Sequence, residues 1–372
     1  MNSFDKKTYA LENTEDLVSP ALIYYQDIIL DNTKRIIKMA GGAEHLWPHV
    51  KTHKAAQLIR MQMGLGIKRF KCATIAEAEM AAREGAACIA MAYPLVGPNI
   101  VRYLRLAAAY PKTVFYASGD DYGALSLLSQ GAEKMKTRMP VLVDADLGMH
   151  RTGVPLDALE GFYEKCSSLP GIILSGLHCY DGHLHQEDPV ERGNAVGAAD
   201  GEIRKVIASL KAKGFPCGIL IMGGSPSFPC RTGDEAYFLS PGTIFIGDWN
   251  YYKNLPDLAF TPGAALFTRV VSHPAPGAFT LDLGYKGIAS DQPGQRGIIA
   301  GMEDAEPAGH SEEHWVFKRP QGKDIPPLGE ACYVLPAHIC PTTALYPVIQ
   351  AASGGKITET WEVTARNRKL EF

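Results

Sequence analysis

The sequence lacks the charge and hydrophobicity patterns of several protein classes. It has no excess of positive charge, since 37 Lys and Arg residues stand against 40 Asp and Glu residues and the net charge is -3. No apolar run approaches the roughly 20 residues of a membrane-spanning helix. The first seven residues are polar and no apolar export signal follows them. We therefore expect a cytoplasmic protein that binds neither nucleic acid nor membranes.

The eight cysteines lack the spacing of a metal knuckle, because no pair is separated as C-x-x-C. A disulfide framework is not expected in a long chain without an export signal, so the thiols are predicted to be reduced. With 46% hydrophobic and 21% charged residues, the composition is that of a globular protein. The 372 residues leave room for one large barrel and a smaller domain.

Short apolar runs alternate with amphipathic stretches between residues 20 and 252. Near-continuous apolar runs of this length are typical of buried parallel strands. The stretches between them are predicted to be helices, one of them opened by a capping box from Thr74 to Glu77. We predict a TIM-type (β/α)8 barrel over residues 20–252, with an open doubly wound sheet as the alternative. The eight predicted strands cover residues 46–51, 69–74, 88–93, 113–118, 140–146, 172–180, 219–223 and 244–248.

The character of the chain changes after residue 252. Gly and Pro become frequent, and short alternating runs replace the helical periodicity. This pattern predicts an antiparallel β domain over residues 253–372, to which we also assign residues 1–19.

Side chains that can carry chemistry are sought at the carboxyl ends of the predicted strands, where barrel active sites lie. Lys51 ends the first strand, and an amine held there among apolar groups can form a Schiff base. Taken alone, it is more simply a surface lysine. Arg151 follows the fifth strand and offers a fork for an oxygen anion, or a partner for a local Asp. Tyr180 ends the sixth strand and can stack on a flat ring.

Two loops rich in glycine and hydroxyl groups follow the seventh strand and precede the eighth. They contain Gly224 and Ser225, and Gly242 and Thr243. Backbone N–H groups in such loops can hold a phosphate, and barrel phosphate sites commonly use this position. An ordinary turn is the alternative. The nearby His178, His183 and His185 are candidate metal ligands, or polar loop and core residues.

His338 and Cys340 are separated by one residue after an apolar run. In extended chain such residues point the same way, so both side chains can reach one ion. Imidazole and thiolate together favour zinc among the common divalent metals. A buried His and a buried Cys without a metal remain the alternative.

Taken together, these motifs resemble the fold-type III, or alanine-racemase-like, pyridoxal-phosphate enzymes. Within that class they resemble the D-serine dehydratase and D-threonine aldolase family. The resemblance rests on five segments in the order of the family, at residues 48–54, 149–153, 223–227, 240–243 and 338–340. It implies a barrel followed by a β domain, a homodimer and a small D-amino acid as substrate.

The resemblance also implies a role for each candidate residue. Lys51 would form the Schiff base with pyridoxal 5'-phosphate, Arg151 would contact its phenolic oxygen, and Tyr180 would lie beside its ring. His338 and Cys340 would bind a divalent metal, with zinc expected first and manganese or magnesium as alternatives. The residues expected to hold the cofactor phosphate are Gly224, Ser225, Gly242 and Thr243.

Two departures from the racemases favour a lyase. Ser240 stands where racemases have the arginine of an Arg-Pro-Gly motif, and no segment resembles their C-terminal tyrosine motif. Without that arginine the cofactor ring can accept electrons more fully. We predict a metal-assisted lyase for 3-hydroxy-D-amino acids, of the D-serine dehydratase type because Cys340 accompanies His338. D-threonine aldolase activity is the alternative, racemisation a more distant one, and a non-catalytic cofactor-homeostasis role has the least support.

Overall fold

The computed structural model describes residues 4–258 and 260–371. Two compact units are present. The first, called the β unit, comprises Met1–Lys34, Thr52–Ala55 and Thr243–Arg366. The second, called the barrel unit, comprises Arg35–Lys51, Ala56–Gly242 and Asn367–Phe372. Residues 20–34, 52–55 and 243–252, which we assigned to the barrel from the sequence, are grouped with the β unit.

The strands of both units are numbered along the chain. They are β1 (Ala21–Tyr25), β2 (Arg69–Cys72), β3 (Cys88–Met91), β4 (Val114–Gly119), β5 (Met139–Asp146), β6 (Val154–Pro155), β7 (Ile172–Cys179), β8 (Ile219–Met222), β9 (Phe238–Leu239), β10 (Ala264–Ser272), β11 (Ala278–Leu281), β12 (Gly297–Ile299), β13 (Glu306–His310), β14 (Trp315–Lys318), β15 (Ala331–Pro336), β16 (Val348–Ser353) and β17 (Lys356–Glu362).

The α-helices are numbered in the same way, and short 3-10 turns occur besides them, one of them at Val50–Thr52. The helices are α1 (Lys6–Tyr9), α2 (Gln26–Met39), α3 (Ala56–Gly64), α4 (Ile75–Arg83), α5 (Pro98–Ala109), α6 (Tyr122–Lys134), α7 (Leu156–Cys166), α8 (Pro189–Ala212), α9 (Thr243–Ile246), α10 (Trp249–Asn254) and α11 (Ile339–Leu345). In the described part of the chain, none of them is long and apolar enough to cross a membrane.

The barrel unit contains a parallel sheet in the order β2-β3-β4-β5-β7-β8-β9. The extended segment before Lys51 lies between its two edges, since Leu46 bridges to Leu239 of β9 and His49 bridges to Lys71 of β2. The Trp47 N–H donates to the Leu239 carbonyl at 2.8 Å, and the Lys71 N–H donates to the Pro48 carbonyl at 2.7 Å. The sheet therefore closes on itself with eight positions, which confirms the predicted barrel and excludes the open sheet.

The first and last predicted strands differ from the structure. The segment at 46–51 makes only isolated bridges and ends in a 3-10 turn. The prediction of a strand at 244–248 is wrong, because this run begins within helix α9 and the last barrel strand is β9. All four residues of α9 are buried. A short, fully buried apolar run has no polar face, so its periodicity does not distinguish a helix from a strand.

Part of the barrel interior is filled by apolar side chains. Trp47, Ala90, Leu142 and Ile221 form one buried cluster. The indole N–H of Trp47 donates to the carbonyl of Phe70 and so is satisfied despite its burial. With this part of the interior packed, polar side chains are left to the carboxyl ends of the strands.

The β unit contains the sheet β13-β14-β11-β10-β1-β16-β17, with β15 pairing to β10 and β12. Most pairs are antiparallel, as predicted, but β1 and β16 are parallel. Its core includes Ile23, Phe267 and Leu335, all with 0% exposure. Strand β1 belongs here because it pairs with β10 and β16, which explains why residues 21–25 are not part of the barrel.

Candidate active site

Three cationic side chains surround the ring of Tyr180 at the carboxyl end of the barrel. Lys51 Nζ lies 5.8 Å from the ring centroid, and Arg151 Cζ lies 4.8 Å from it. Both had been singled out from the sequence together with Tyr180. The third, Lys71 Nζ, lies 5.5 Å from the centroid. Lys51 follows the segment that closes the barrel, Lys71 lies on β2, and Tyr180 comes directly after β7, so barrel closure brings them together.

Lys71 was missed in the sequence analysis. Its residue exposure is 1%. Burial, and then the positive charge of Lys51, lower the pKa of Lys71 from 10.5 to about 7. The sequence did contain a signal for Lys71, because it is a lysine within a predicted buried barrel strand.

A buried His–Asp pair supports Lys71. His178 Nδ1 lies 2.7 Å from Asp144 Oδ1, and His178 Nε2 lies 3.5 Å from Lys71 Nζ. Burial lowers the pKa of His178 despite the nearby carboxylate, so its ring is neutral at pH 7. A neutral ring that donates from Nδ1 to Asp144 has an unprotonated Nε2, which accepts a hydrogen bond from Lys71. In the part of the chain that is described, no group of three or more His, Cys, Asp or Glu residues could hold a metal ion, so the histidine cluster gains no support as a metal site.

The two predicted phosphate loops are joined by a hydrogen bond. Ser225 is buried, and its hydroxyl accepts the Gly242 N–H at 3.1 Å. A Cβ at Gly224 would lie 2.9 Å from an atom of the Tyr180 ring, so the glycine lets the loop approach that ring. Gly224, Ser225, Gly242 and Tyr180 therefore lie together in the barrel unit. Thr243, the next residue, belongs to the β unit.

A buried charge network behind the first loop was also missed. Arg231 donates from Nη1 to Asp181 Oδ2 at 2.6 Å and from Nη2 to Asp200 Oδ1 at 2.7 Å. Ser227 donates to the other oxygen of Asp181 at 2.7 Å and accepts the Gly224 N–H at 3.2 Å. The network thus fixes the loop from the side of the protein interior. Its members are distant in the sequence, which left no local signal.

His338 and Cys340 lie at the start of α11 in the β unit. The expectation of an extended segment is wrong at Cys340, which is in the helix, but the two side chains still interact by a hydrogen bond. His338 Nδ1 lies 2.6 Å from Asp291 Oδ2. Burial by itself lowers the pKa of His338, but the hydrogen bond and charge of Cys340, aided by Asp291, outweigh burial and raise the pKa to about 9.

Two threonine hydroxyls contact the thiol of the pair. Cys340 Sγ lies 3.2 Å from Thr52 Oγ1 and 3.2 Å from Thr243 Oγ1. Thr52 follows Lys51 in the chain, and Thr243 follows Gly242. Cys340 of the predicted metal pair therefore contacts Thr52, which follows the predicted cofactor anchor, and Thr243, which follows the predicted phosphate loop.

The residues present fit both implied groups. Cationic side chains at an aromatic ring, beside a loop in which a Cβ at Gly224 would be obstructed, suit a flat, phosphorylated cofactor. Imidazole and thiolate suit zinc, and Asp291 on Nδ1 leaves the other ring nitrogen of His338 for a metal.

Comparison with known protein families gives two matches. A model described as alanine racemase, N-terminal domain, matches residues 26–249, and a model for a domain named after serine dehydratase matches residues 263–352. The first match alone covers more than half of the chain.

Individual relatives cover nearly all of the chain. A D-threonine aldolase of Arthrobacter sp. is 28% identical over 86% of this chain and 85% of its own. A 3-hydroxy-D-aspartate aldolase of Paracoccus denitrificans is 25% identical over 95% and 93%. A D-threo-3-hydroxyaspartate dehydratase of Delftia sp. is 22% identical over 93% and 97%.

The crystal structure of D-threonine aldolase from Filomicrobium marinum has a TM-score of 0.88 at 26% identity and covers 95% of this chain and 97% of its own. Its similarity extends over both units, as does that of the sequence relatives. The chain therefore belongs to the alanine racemase N-terminal domain family and is a pyridoxal-phosphate enzyme of the fold-type III class.

Proposed function

We propose that this protein is a pyridoxal-phosphate-dependent, divalent-metal-assisted lyase that acts on 3-hydroxy-D-amino acids. One observation carries the proposal. The thiol of Cys340 is in contact with the hydroxyls of the residues that directly follow Lys51 and Gly242. Within the β unit, the residue after Lys51 and the residue after Gly242 thus both contact the thiol of the proposed metal pair.

When bound, the cofactor supplies an electron sink for the bond broken at Cα, and the metal supplies a Lewis acid for the β-hydroxyl oxygen. Lys51 would anchor the cofactor covalently, and its free amine would hold or return the α-proton of the substrate. The permanently charged guanidinium of Arg151 would bind an oxygen anion of the cofactor. The ring of Tyr180 would restrict the movement of the cofactor. The loops with Gly224, Ser225 and Gly242 bind the phosphate, with Thr243 as a further hydroxyl donor.

His338 and Cys340 bind the metal, and Asp291 orients the imidazole by accepting from Nδ1. With these two side chains as protein ligands, the metal would supply a Lewis acid to oxygen atoms of a substrate. An amino acid without a 3-hydroxyl group cannot use the metal in this way, which is why the substrate class is restricted to 3-hydroxy compounds.

Two reactions are open to such a substrate. Cleavage of the Cα–Cβ bond is the first candidate, because aldolases are the relatives at 28%, 25% and 26% identity. Dehydration is the second, favoured by the pairing of His338 with a thiol and by the dehydratase relative. The sequence analysis placed dehydration first, and the comparisons support both.

A product assay tests the proposal and separates the two reactions. D-Threonine, D-serine and D-threo-3-hydroxyaspartate are each incubated with the holoenzyme, with the L-enantiomers and D-alanine as controls. Glycine with an aldehyde indicates cleavage, whereas pyruvate or oxaloacetate with ammonia indicates dehydration. L-Alanine from D-alanine would indicate a racemase instead, and no conversion of any D-amino acid would overturn the proposal.

The cofactor anchor is tested separately. We expect borohydride to fix the cofactor on Lys51 and Lys51→Ala to lose the cofactor absorbance. Lys68→Ala is the matched control, because Lys68 is exposed and lies outside the site. An unchanged spectrum in Lys51→Ala would assign the anchor to another residue.

We also propose a homodimer, on the family resemblance. Light scattering coupled to gel filtration should give the mass of two chains. A single-chain mass with full activity would contradict this.

A further inference from the structure

Lys71 is a buried amine for which the proposed reaction has no assigned role. It lies on β2 with 1% exposure, and its amine is 5.5 Å from the centroid of the same Tyr180 ring that Lys51 approaches to 5.8 Å. The barrel interior therefore presents two primary amines to one aromatic ring, from adjacent positions of the sheet.

The hydrogen-bond partner that faces Lys71 is a neutral imidazole. His178 Nε2 accepts from Lys71 at 3.5 Å, and Asp144 fixes the tautomer by accepting from His178 Nδ1 at 2.7 Å. Both of these side chains have 6% exposure. A neutral acceptor offsets little of the cost of burying an ammonium group, so Lys71 can lose its proton near neutral pH.

Charged groups face Lys71 from each neighbouring part of the barrel. Burial opposes the protonation of Lys71 most strongly, and the neighbouring positive charges oppose it too. The neighbouring carboxylates favour protonation but do not outweigh burial. The charged groups are Lys51 from the closing segment, Asp144 from β5, Arg151 from the loop after β5 and Asp181 from the loop after β7, and the neutral ring of His178 faces Lys71 from β7.

We propose that Lys71 is a positioning residue of the cofactor site, a second ionisable amine whose charge sets the pH range in which Lys51 holds the cofactor. The proposal rests on the proposed role of Lys51 as the anchor. A charge on Lys71 disfavours a positive charge on a cofactor group linked to Lys51, because two like charges at one ring repel. Conversely, when Lys71 is neutral, the group linked to Lys51 retains its proton to higher pH.

The test follows the visible absorbance of the holoenzyme between pH 5.5 and 9.5 without substrate. We expect a transition with a midpoint near pH 7 in the natural protein. Lys71→Met removes the ionisable amine and keeps the length of the side chain, so this transition should be lost. Lys68→Met is the matched control, since it removes an exposed lysine three residues earlier, and it should keep the transition. An unchanged midpoint in Lys71→Met overturns the proposal.

A second measurement covers the case in which Lys71→Met does not bind the cofactor. Lysine labelled with 13C at Cε is followed by NMR in the natural chain, and the Lys71 signal is assigned as the one missing from Lys71→Arg. We expect this signal to titrate near pH 7. A Lys71 that stays charged up to pH 9 overturns the proposal.

The two proposals fail in different ways. If the chain takes up no pyridoxal phosphate, or converts no D-amino acid, the proposed function is overturned. The NMR titration needs neither cofactor nor activity and decides the charge of Lys71 by itself.

Discussion

The imidazole of His338 has a carboxylate as its hydrogen-bond partner at Nδ1, in addition to its hydrogen bond with Cys340. Asp291 Oδ2 lies 2.6 Å from Nδ1, so Nδ1 is the protonated nitrogen when the ring is neutral. This arrangement directs the other nitrogen toward a metal and raises its basicity. The carboxylate is 41% exposed, so it acts through geometry more than through a strong buried charge.

Asp291→Asn is therefore expected to weaken metal binding by about 10- to 100-fold. The amide keeps the size of the side chain and can still accept through Oδ1, but it loses the negative charge of the carboxylate. Competition with a chromogenic chelator measures the affinity in the protein without cofactor. Asp324→Asn changes an exposed aspartate elsewhere in the β unit and should leave the affinity unchanged. Equal affinities for both variants would show that Asp291 does not support the metal.

Lys71→Met is expected to stabilise the fold most at low pH. The pKa of Lys71 is about 7 in the folded chain, against an ordinary value of 10.5. Between pH 7 and 10.5 the unfolded chain therefore binds more protons than the folded chain. The cost of the buried charge is complete below pH 7 and falls by about 1.4 kcal/mol per pH unit above it. The gain in the free energy of unfolding from Lys71→Met should fall accordingly between pH 7 and 10.

Urea unfolding of the cofactor-free protein at pH 6, 8 and 9 measures this gain. Lys68→Met should show no such pH dependence, because Lys68 is exposed. A gain that is the same at all three pH values would contradict a buried, uncharged Lys71.

At the scale of elements, the loop after β8 is held by side chains from three other segments. Asp181 follows β7, Asp200 lies in α8, and Arg231 ends the 3-10 turn that follows the loop. Their ion pairs have little exposure, so removing one partner would leave a buried charge uncompensated. Ser227 is the connection between this network and the loop backbone.

Ser227→Ala is expected to weaken binding of pyridoxal phosphate by roughly tenfold, which corresponds to about 1.4 kcal/mol. The Gly224 N–H and one oxygen of Asp181 both lose a partner. Absorbance titration of the cofactor-free protein measures the affinity. Turnover at saturating cofactor should change less, because Ser227 does not contact Lys51. Ser168→Ala, an exposed hydroxyl, is the control, and a variant with natural affinity would show that the loop holds its shape without Ser227.

At the scale of the whole molecule, most of the proposed cofactor residues belong to one compact unit, whereas Thr243 and the proposed metal pair belong to the other. Lys51, Arg151 and Tyr180 belong to the barrel unit, whereas His338 and Cys340 belong to the β unit. Loss of the metal should therefore leave the residues around the cofactor in place.

Chelation with EDTA is expected to abolish lyase activity and to preserve the cofactor absorbance. Adding back zinc, manganese or magnesium one at a time identifies the metal that restores turnover. His338→Ala should reproduce the chelated state without responding to added metal. Full turnover after chelation would remove the metal from the reaction, and a loss of colour would show that the metal supports cofactor binding.

Local sequence pattern was sufficient to predict the barrel, the capping box and the proximity of Lys51, Arg151 and Tyr180. The Thr74 hydroxyl accepts the Glu77 N–H at 3.2 Å, as the spacing predicted, because a helix cap depends only on neighbouring residues. Lys51, Arg151 and Tyr180 could be placed together because strand ends in a closed barrel meet at one face. The alternation of apolar runs determined that barrel.

The tertiary structure alone decided which buried charges meet. Lys71 and His178 are 107 residues apart, and Asp181 and Arg231 are 50 apart, so no periodicity connects them. It also decided that the apolar run after Gly242 is a helix, since full burial on all sides removes the pattern that distinguishes helix from strand. The sequence determines which side chains are available. The order of the strands around the barrel determines which of them are buried side by side, where they change each other's pKa.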